Sequence, residues 1–282
     1  MSKPTIVITV GDPAGIGPEI VKKTVSQKSV LKICNPVVIG SSKNFVPGKH
    51  SKKSDVAAVS FLNKAVELVK NGEADAIITA PVSKSAFGRI GGHTEFLANR
   101  FGLKNVEMLM VADNIKVLLL TRHIPLKDVS KNISTKKIAE TTIYVCDFIK
   151  QFFRIKNPKI VICGLNPHCA DNGLIGNDEK QKIIPAIQIL KKNGFNVTGP
   201  VNPEIAFLSK NSDLIVCMYH DQAMLPLKIL QPDKIVNVTV GLPFIRTSPG
   251  HGTAYDIAGK GIANPSAMIE AIKLAAFLTE GN

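Results

Sequence analysis

The sequence has no tryptophan, three tyrosines and only five arginines among its 282 residues. Nucleic-acid-binding proteins use aromatic rings to stack bases and arginine to contact phosphates and bases, so these deficits argue against that class. The net charge of +13 comes mostly from lysine, which is spread along the chain in short pairs rather than long basic runs. We therefore interpret the charge as a solvated surface that also attracts an anionic substrate, and we expect no nucleic-acid partner.

Paired cysteines and long apolar runs are also absent. The five cysteines are scattered, and none has the spacing of a Cys-x-x-Cys pair, which argues against a disulfide framework or a cysteine-bound zinc. No apolar run approaches the length of a membrane span. The apolar stretch near the N-terminus ends in Gly11-Asp12-Pro13 rather than in a signal-peptide cleavage site. These absences predict a cytoplasmic protein without a membrane partner.

The sequence does contain β-branched apolar runs that alternate with longer amphipathic stretches, a pattern typical of an α/β fold with mostly parallel strands. The predicted strands are residues 5–10, 37–40, 76–79, 107–112, 116–121, 159–163, 214–218 and 236–240. The predicted helices are residues 17–26, 59–71, 136–153, 177–193 and 265–278. Three residues separate two consecutive strands at 113–115, which predicts a hairpin and hence a mixed sheet. The polar residues 41–55 predict the loosest loop.

Three histidines follow apolar strands, and they point to a metal site. His123, His168 and His220 come after LLLT, IVIC and LIVC, and ligand sites of open α/β sheets lie at the carboxyl ends of strands. Neutral imidazoles suit divalent first-row metals, and three protein ligands leave a position open for a substrate hydroxyl, whose pKa the metal lowers. Spacing alone leaves open that these histidines are general bases or structural residues. His50 lies in the polar loop and carries no predicted role.

Two glycine-rich segments are candidate ligand loops. Residues 11–19, GDPAGIGPE, follow the first predicted strand, but they match neither the Rossmann fingerprint nor the phosphate-loop signature. Such a turn offers free backbone N–H groups to a ligand, or it only packs a helix on a sheet. Residues 251–265, HGTAYDIAGKGIANP, form a long polar loop before the last predicted helix, where Pro265 suits the first turn. Loops of this kind carry function more often than packing.

The last loop resembles the adenosine-binding loop of the isocitrate and isopropylmalate dehydrogenases. Further segments resemble, in order and across nearly the whole chain, the 4-hydroxythreonine-4-phosphate dehydrogenase family: VSKSAF and GGHTEFLA within 82–98, TRHIPLKDV at 121–129, NPHCADNG at 166–173, YHDQAMLPLK at 219–228 and VNVTVGLPFIRTSPGHGTAYDIAG at 236–259. The resemblance implies an isocitrate/isopropylmalate-dehydrogenase-like fold of two interwoven α/β domains with mixed, largely parallel sheets. It implies a cofactor-side domain of residues 1–89 plus 247–282. Residues 90–246 would form a central domain with the metal ligands and the dimer interface.

The resemblance also implies roles for individual residues. The implied ligands of one divalent metal per active site (zinc, cobalt or magnesium) are His123, His168 and His220, contributed by both subunits of a homodimer with shared active sites. The implied contacts to a small phosphorylated amino-acid substrate are His93, Thr94, Lys228, Asn237 and Arg246. The apolar stretch LPLKIL around Lys228 favours a binding role over a surface lysine. Asp221, Lys228 and a water are all candidates to accept the alcohol proton, so Lys228 and Asp221 are the predicted catalytic residues.

The implied cofactor is NAD, bound by residues of the C-terminal loop: Gly252, Ala254, Asp256 and Asn264. The carboxylate of Asp256 suits the ribose 2′-OH of NAD and repels the 2′-phosphate of NADP, although the nearby Lys260 weakens that preference. The implied reaction oxidises 4-phosphooxy-L-threonine to 2-amino-3-oxo-4-phosphooxybutanoate. That product decarboxylates to 3-amino-2-oxopropyl phosphate, a step of pyridoxal 5′-phosphate biosynthesis.

The sequence departs from the family pattern beside the second histidine. The usual NPHAGEGG is here NPHCADNG, so Cys169, Ala170, Asp171 and Asn172 replace Ala, Gly, Glu and Gly. Cys169 is either a further sulfur contact or a small residue. The chain is also shorter than typical members around residues 41–60. These changes keep two alternatives open: a dehydrogenase of another phosphorylated hydroxy acid such as erythronate 4-phosphate, or a non-catalytic nucleotide-binding protein.

Overall fold

The computed structural model describes residues 3–209 and 211–280, apart from the side chain of Arg89. Its strands are β1 Thr5–Thr9, β2 Asn35–Ile39, β3 Ala76–Thr79, β4 Glu107–Ala112, β5 Ile115–Leu119, β6 Lys159–Cys163, β7 Asn196–Val201, β8 Leu214–Cys217, β9 Val236–Val240 and β10 Ile245–Pro249. Its α-helices are α1 Gly17–Val25, α2 Lys28–Ile33, α3 Lys52–Lys70, α4 His93–Arg100, α5 Val129–Asn132, α6 Thr135–Phe152, α7 Ile184–Lys192, α8 Pro203–Leu208, α9 His220–Leu230 and α10 Ser266–Thr279. No helix in the described residues is long and apolar enough to cross a membrane.

All eight predicted strands are confirmed, each to within two residues at either end. The sequence missed β7 and β10 because their composition is unlike that of a typical strand. The strand β7 contains Gly199-Pro200, and β10 has the sequence IRTSP. Glycine and proline are depleted in strands, and a buried arginine breaks the apolar pattern from which strands are recognised.

The predicted helices are also confirmed, but two of them differ in extent and several others were missed. The helix α3 begins at Lys52 rather than at residue 59, so the predicted loop 41–55 is wrong at its C-terminal end. Its start is fixed by a capping box, in which Ser51 accepts from the backbone of Ser54 and the Ser54 side chain accepts from the backbone of Ser51. Residues 177–193 divide into a π-helical turn, Glu179–Ile183, followed by α7. The unpredicted helices are α2, α4, α5, α8 and α9.

Two compact units make up the chain. Unit 1 comprises, of the described residues, 3–106 and 233–280, and its strands lie in the order β2-β1-β3-β10-β9. The first four are parallel, and β9 is antiparallel to β10. One face of this sheet packs on α3 and α4 through a core that includes Val7, Ile77 and Leu97. On the other face, Thr247 of β10 donates to the Ala271 carbonyl of α10, 2.8 Å away.

Unit 2, Glu107–Pro232, has its strands in the order β4-β5-β8-β6-β7. The strands β4 and β5 pair antiparallel, which confirms the predicted hairpin. The other pairs, β5 with β8, β8 with β6 and β6 with β7, are parallel. Helix α7 packs on β7, α8 packs on β6 and β8, and α9 packs on β5 and β8. The predicted mixed, largely parallel α/β fold is therefore confirmed.

The unit boundaries differ from the predicted domain boundaries. The chain passes between units after Val106 and after Pro232, whereas the prediction placed these points after residues 89 and 246. His93, Thr94, Asn237 and Arg246 consequently belong to unit 1 together with the glycine-rich loops. The assignment of one domain to the cofactor and the other to the metal stays a prediction.

Candidate functional site

The three histidines of unit 2 follow three neighbouring parallel strands. In the sheet, β8 lies between β5 and β6. His123 comes after β5, which ends at Leu119; His220 comes after β8, which ends at Cys217; and His168 comes after β6, which ends at Cys163. Carboxyl ends of adjacent parallel strands share one edge of a sheet, which is where such folds bind ligands.

Two of these histidines lie side by side. The ring centres of His123 and His220 are 5.6 Å apart. Two imidazoles that bind one tetrahedral ion through nitrogens about 2.1 Å from the metal hold their ring centres roughly 5 Å apart, so the observed spacing suits a shared ion. The Nδ1 atom of His220 is 2.7 Å from Oδ1 of Asp221. A carboxylate on one ring nitrogen fixes the tautomer and leaves the other nitrogen to a metal.

His168 lies in an unusual backbone segment, Pro167–Gly173. Five consecutive non-glycine residues, 168–172, have positive φ values between 40° and 69°. L-amino acids adopt this left-handed conformation at a penalty of roughly 1–2 kcal/mol each, and strained backbone of this kind clusters at functional sites. The side chain of His168 is exposed. Among the described residues, the structure does not bring it into a close three-residue group with the other two histidines.

The predicted substrate contacts of unit 1 are distinguished by unsatisfied polar atoms. Three buried side-chain polar atoms among the described residues lack a hydrogen-bond partner: Nε2 of His93, Oδ1 of Asn237 and Nε of Arg246. Buried polar groups are nearly always paired, and each exception calls for an explanation such as a missing ligand. All three belong to residues that the sequence resemblance had assigned to the substrate.

Arg246 is the most deeply buried residue of this group. Its side chain is 2% exposed. Its Nη1 donates to the Thr239 hydroxyl at 3.0 Å and its Nη2 donates to the Thr79 hydroxyl at 2.5 Å, so these hydrogen bonds go to neutral oxygens. Burial lowers the pKa of Arg246 to about 10, opposed by the negative charge of Glu95. The guanidinium is therefore still a cation at neutral pH, and its buried position suits an anionic ligand.

His93 is held beside this cation in its neutral form. Burial lowers the pKa of His93 well below its ordinary value of 6.5, and the positive charge of Arg246 adds to the shift. The imidazole packs against the Phe87 ring at 4.9 Å between ring centres. His93 and Thr94 are the first two residues of α4, where unpaired backbone N–H groups favour anions. Thr94 is also buried.

The remaining predicted contacts lie on α9, at its two ends. Asp221 lies in the first turn beside His220, and Lys228 lies in the last turn. Lys228 lies eight positions after His220, which is roughly 12 Å along a helix axis. Lys228 is exposed, so the apolar stretch in which it lies does not bury it within its own chain. The structure thus separates Lys228 from the histidine pair of the same subunit.

The two glycine-rich segments lie against each other in unit 1. The Ile16 amide donates to the Thr253 carbonyl at 2.9 Å, and the Tyr255 hydroxyl donates to Oδ2 of Asp12 at 2.5 Å. A Cβ atom on Gly15 would lie 2.9 Å from the Thr253 oxygen, so this close approach requires glycine. The sequence had identified both segments separately, and the structure places them together at the carboxyl ends of β1 and β10.

The residues predicted to bind the cofactor lie along this C-terminal loop. Gly252 and Asp256 are exposed, and no atom lies within 4 Å of a Cβ built on Gly252. Ala254 is partly buried and has a φ of 41°. Asn264 has local partners: its Oδ1 accepts from the Ser266 amide at 2.9 Å, and its Nδ2 donates to Asp233 at 3.1 Å. Asn264 therefore also fixes the start of α10.

Sequence reasoning missed a polar cluster beside these loops. The ligand atoms of Asp12, His50 and Asp55 lie within 4.8 Å of one another, a spacing that also suits a metal ion. His50 Nε2 is 2.8 Å from Oδ1 of Asp55, and the Ser85 hydroxyl donates to Oδ2 of Asp55 at 2.9 Å. The Ser-x-x-Ser spacing before α3 was the available signal, because it fixes the helix start that presents Asp55 to His50.

Comparisons with known proteins identify the family of the chain. A family model described as Pyridoxal phosphate biosynthetic protein PdxA matches residues 10–275. The chain is 41% identical to 4-hydroxythreonine-4-phosphate dehydrogenase of Sulfurihydrogenibium sp. (strain YO3AOP1), over 97% of this chain and 98% of that protein. It is 37% identical to D-threonate 4-phosphate dehydrogenase of Cupriavidus necator, over 98% of this chain and 97% of that protein.

Solved structures give the same result. A 4-hydroxythreonine-4-phosphate dehydrogenase from Klebsiella pneumoniae is similar with a TM-score of 0.84 and 30% identity, covering 98% of both chains. An isocitrate dehydrogenase from Methylococcus capsulatus, 16% identical, shares the fold alone with a TM-score of 0.52, over 95% of this chain and 83% of that one.

The chain has an isocitrate-dehydrogenase-like fold, as the sequence predicted, and its relatives show that it is a dehydrogenase. Within that class, the chain belongs to the pyridoxal phosphate biosynthetic protein PdxA family, whose matching relatives include 4-hydroxythreonine-4-phosphate dehydrogenases over nearly their full length. This membership sets aside the alternative of a non-catalytic nucleotide-binding protein.

Proposed function

We propose that this enzyme oxidises 4-phosphooxy-L-threonine with NAD, in the presence of a divalent metal, to 2-amino-3-oxo-4-phosphooxybutanoate. The product loses carbon dioxide to give 3-amino-2-oxopropyl phosphate. The observation that carries the proposal is the set of three unsatisfied buried atoms on His93, Asn237 and Arg246. A molecule with anionic groups and a polar hydroxyl or amino group would satisfy all three.

Each unsatisfied atom suits a different part of such a substrate. The Nε–H of Arg246 is a charged donor for a phosphate or carboxylate oxygen. The Oδ1 atom of Asn237 accepts from a substrate amino or hydroxyl group. Neutral His93 hydrogen-bonds through Nε2 without adding a second positive charge next to Arg246. These residues bind and orient the substrate, and their burial keeps water from competing for the same atoms.

The donor set of unit 2 fits a divalent metal. We assign His123, His168 and His220 as its ligands, with zinc, cobalt and magnesium as the candidate ions. When bound, such an ion supplies Lewis-acid polarisation of the substrate hydroxyl. Asp221 holds Nδ1 of His220 and thereby leaves Nε2 to the metal. We therefore assign Asp221 to positioning His220, which leaves Lys228 or a water to accept the alcohol proton.

A homodimer with shared active sites would bring Lys228 to a partner's site. The helices α8 and α9 expose several large apolar side chains of unit 2: Ile205, Leu208, Leu225, Ile229 and Leu230. Leu225 and Ile229 flank Lys228 on α9 and are 62% and 71% exposed. Exposed apolar groups of this extent mark protein interfaces, and we propose that a second copy of the chain covers them.

The dimer is tested by the double substitution Leu225→Lys and Ile229→Lys. Analytical ultracentrifugation should show a dimer for the unchanged protein and a monomer for the variant. A matched control, Lys180→Glu with Lys191→Glu on the surface of unit 2, should stay dimeric. A monomeric unchanged protein at micromolar concentration would contradict the shared site.

The nucleotide is proposed to lie on the C-terminal loop, where Gly252 leaves space and Asp256 is exposed. The Asp256 carboxylate favours NAD over NADP for the electrostatic reason given above. Asp256→Ser should lower the ratio of kcat/KM with NAD to kcat/KM with NADP. Asp113→Ser in unit 2 serves as the control. An unchanged ratio in the Asp256 variant would remove Asp256 from the nucleotide site.

A second substrate is supported by a specific observation. A relative named D-threonate 4-phosphate dehydrogenase is 37% identical, close to the identities of the relatives named 4-hydroxythreonine-4-phosphate dehydrogenase. The two substrate types differ chiefly in whether carbon 2 carries an amino or a hydroxyl group, and Asn237 Oδ1 accepts from either. Erythronate 4-phosphate, the alternative raised by the sequence, belongs to the same hydroxy-acid type.

The decisive assay follows NADH formation with each of the three phosphorylated substrates, using protein first depleted of metal and then supplied with zinc, cobalt or magnesium. Turnover of 4-phosphooxy-L-threonine that metal restores would support the proposal. A much higher kcat/KM for D-threonate 4-phosphate or erythronate 4-phosphate would transfer the assignment to that substrate. Arg246→Met should lose activity with all three, which controls for a contaminating dehydrogenase.

A further inference from the structure

A single buried glutamine side chain joins two of the strand ends that carry the histidines. Gln222 lies in the first turn of α9 and is 7% exposed. Its Oε1 accepts from the Met218 amide at 2.7 Å, and its Nε2 donates to the Gly164 carbonyl at 2.7 Å. Met218 follows β8 and Gly164 follows β6, so one side-chain amide bridges two strands.

This bridge begins where the backbone pairing of those strands stops. The last paired residues of β6 and β8 are Ile162 and Val216. In that register Gly164 and Met218 would be opposite each other two residues later, but here the Gln222 amide lies between them. The side chain supplies one donor and one acceptor, as a backbone peptide would, and keeps the two diverging strand ends at a fixed separation.

The end of β5, the third of these strands, is also hydrogen-bonded to the backbone of Met218. The Thr121 amide and hydroxyl both donate to the Met218 carbonyl, at 3.2 Å and 2.6 Å. Thr121 lies two residues before His123, and Met218 lies two residues before His220. Both backbone groups of Met218 are therefore held by side chains or backbone of other segments. Its N–H donates to Gln222, and its carbonyl accepts from Thr121.

On the far side, a buried carboxylate continues the network towards His168. Glu179 is 2% exposed and accepts from the Leu165 and Asn166 amides at 2.8 Å and 2.7 Å. These are the residues between Gly164 and the segment that contains His168. Hydrogen bonds therefore run continuously from the end of β5, through β8 and Gln222, to the loop after β6.

We propose that Gln222 is a positioning residue for the histidines assigned to the metal, because it fixes the strand end that carries His220 against the strand end that carries His168, whichever of the dimer's two shared sites each histidine serves. The proposal rests on the metal site of the proposed function. Gln222 itself does not touch the ion. Substitution of residues that orient metal ligands typically weakens metal affinity about 10–100-fold, and loss of the bridge should have an effect in that range.

The test measures binding of Co²⁺ to the metal-free full-length protein, by calorimetry and by the visible absorption of the bound ion. Gln222→Met removes both hydrogen bonds at similar volume. Gln222→Glu keeps the acceptor for Met218 but loses the donor to Gly164, and it serves if the methionine variant folds poorly. Gln151→Met, at an exposed glutamine of α6, is the matched control. Circular dichroism confirms that each variant is folded.

We expect both Gln222 variants to bind Co²⁺ at least tenfold more weakly with an altered absorption spectrum, while the Gln151 variant behaves as the unchanged protein. Binding within threefold, with an unchanged spectrum, would overturn the role of Gln222 and leave the metal site intact. Absence of Co²⁺ binding to the unchanged protein would overturn the proposed metal site itself, and the inference with it.

Discussion

The two units present their candidate site residues in opposite ways. In unit 1, three of the residues assigned to the substrate, His93, Asn237 and Arg246, each have a buried polar atom without a hydrogen-bond partner. In unit 2 the histidines assigned to the metal follow the strands: His123 and His168 are exposed, His220 is half-buried at the start of α9, and only His123 and His220 have adjacent rings. In our proposal, unit 1 therefore carries a pre-formed binding surface, whereas the ligands of unit 2 reach their final arrangement only with an ion and a second subunit.

The difference indicates how each of the two groups of candidate residues is stabilised. Buried unsatisfied atoms are a standing penalty on the folded protein, which a ligand relieves. Exposed histidines impose little penalty, but they need outer partners such as Asp221 and Gln222 to hold their orientation. Substitutions in unit 1 should therefore lower activity without lowering the free energy of unfolding. Substitutions in unit 2 should lower the affinity for the metal.

The largest expected effect comes from Arg246→Met. Loss of a buried charged partner of the substrate should lower kcat/KM roughly a hundredfold to several thousandfold. The free energy of unfolding of the ligand-free protein should be unchanged or higher, because a buried cation without a carboxylate partner is replaced by an apolar side chain. Steady-state kinetics and chemical denaturation measure the two quantities.

Arg100→Met on the exposed end of α4 is the control and should leave kcat/KM within a fewfold of the unchanged enzyme. If Arg246→Met instead lost stability in proportion to activity, the arginine would be a structural residue. That result would contradict the proposal that the buried polar residues of unit 1 serve binding rather than folding.

A smaller effect is expected in unit 2 from Asp221→Asn. The amide cannot hold Nδ1 of His220 as a carboxylate does, so the apparent affinity for zinc should fall about 10–100-fold. Asp147→Asn, at an exposed aspartate of α6, should have no effect. Competition with a chromophoric chelator measures the affinities. Equal zinc affinities, together with a loss of turnover, would return Asp221 to the role of proton acceptor.

The sequence predicted the parallel strands and the placement of three histidines after their carboxyl ends. Apolar β-branched runs and the polar residues after them are local signals. It did not predict the burial of Arg246, since β10 has too few apolar residues to be recognised as a strand. It also missed the contact of His50 with Asp55, which depends on where α3 begins. What could not be predicted depends on packing between segments distant in sequence.

The protonation of His93 gives a third prediction. In the unfolded chain His93 takes up a proton as the pH falls through 6.5, but burial and Arg246 hold its folded pKa well below that value. The folded state therefore binds fewer protons below pH 6.5, and stability falls as the pH is lowered, by at most about 1.4 kcal/mol per pH unit for this group. Above pH 6.5 the group has no effect on stability.

The test compares unfolding of the ligand-free protein with that of His93→Gln between pH 7.5 and 5.5. As the pH falls, the free energy of unfolding of the unchanged protein should decrease relative to that of the His93→Gln variant. His251→Gln, at an exposed histidine, should show no such change. Parallel pH profiles for the His93 variant and the unchanged protein would mean that solvent reaches the imidazole.

The smallest expected effect concerns the left-handed segment around His168. Ala170 is buried and has a φ of 69°, at a position where the family pattern has glycine. Ala170→Gly should raise the free energy of unfolding by about 1 kcal/mol, because glycine adopts this conformation without the Cβ clash. The helical control Ala139→Gly in α6 should lower it by a similar amount, since glycine there only adds freedom to the unfolded chain. Changes of opposite sign in the free energy of unfolding of the two variants would show that the backbone is strained beside a proposed metal ligand. A loss of stability in both variants would mean that the segment around His168 is relaxed and that unit 2 stores no strain at its site.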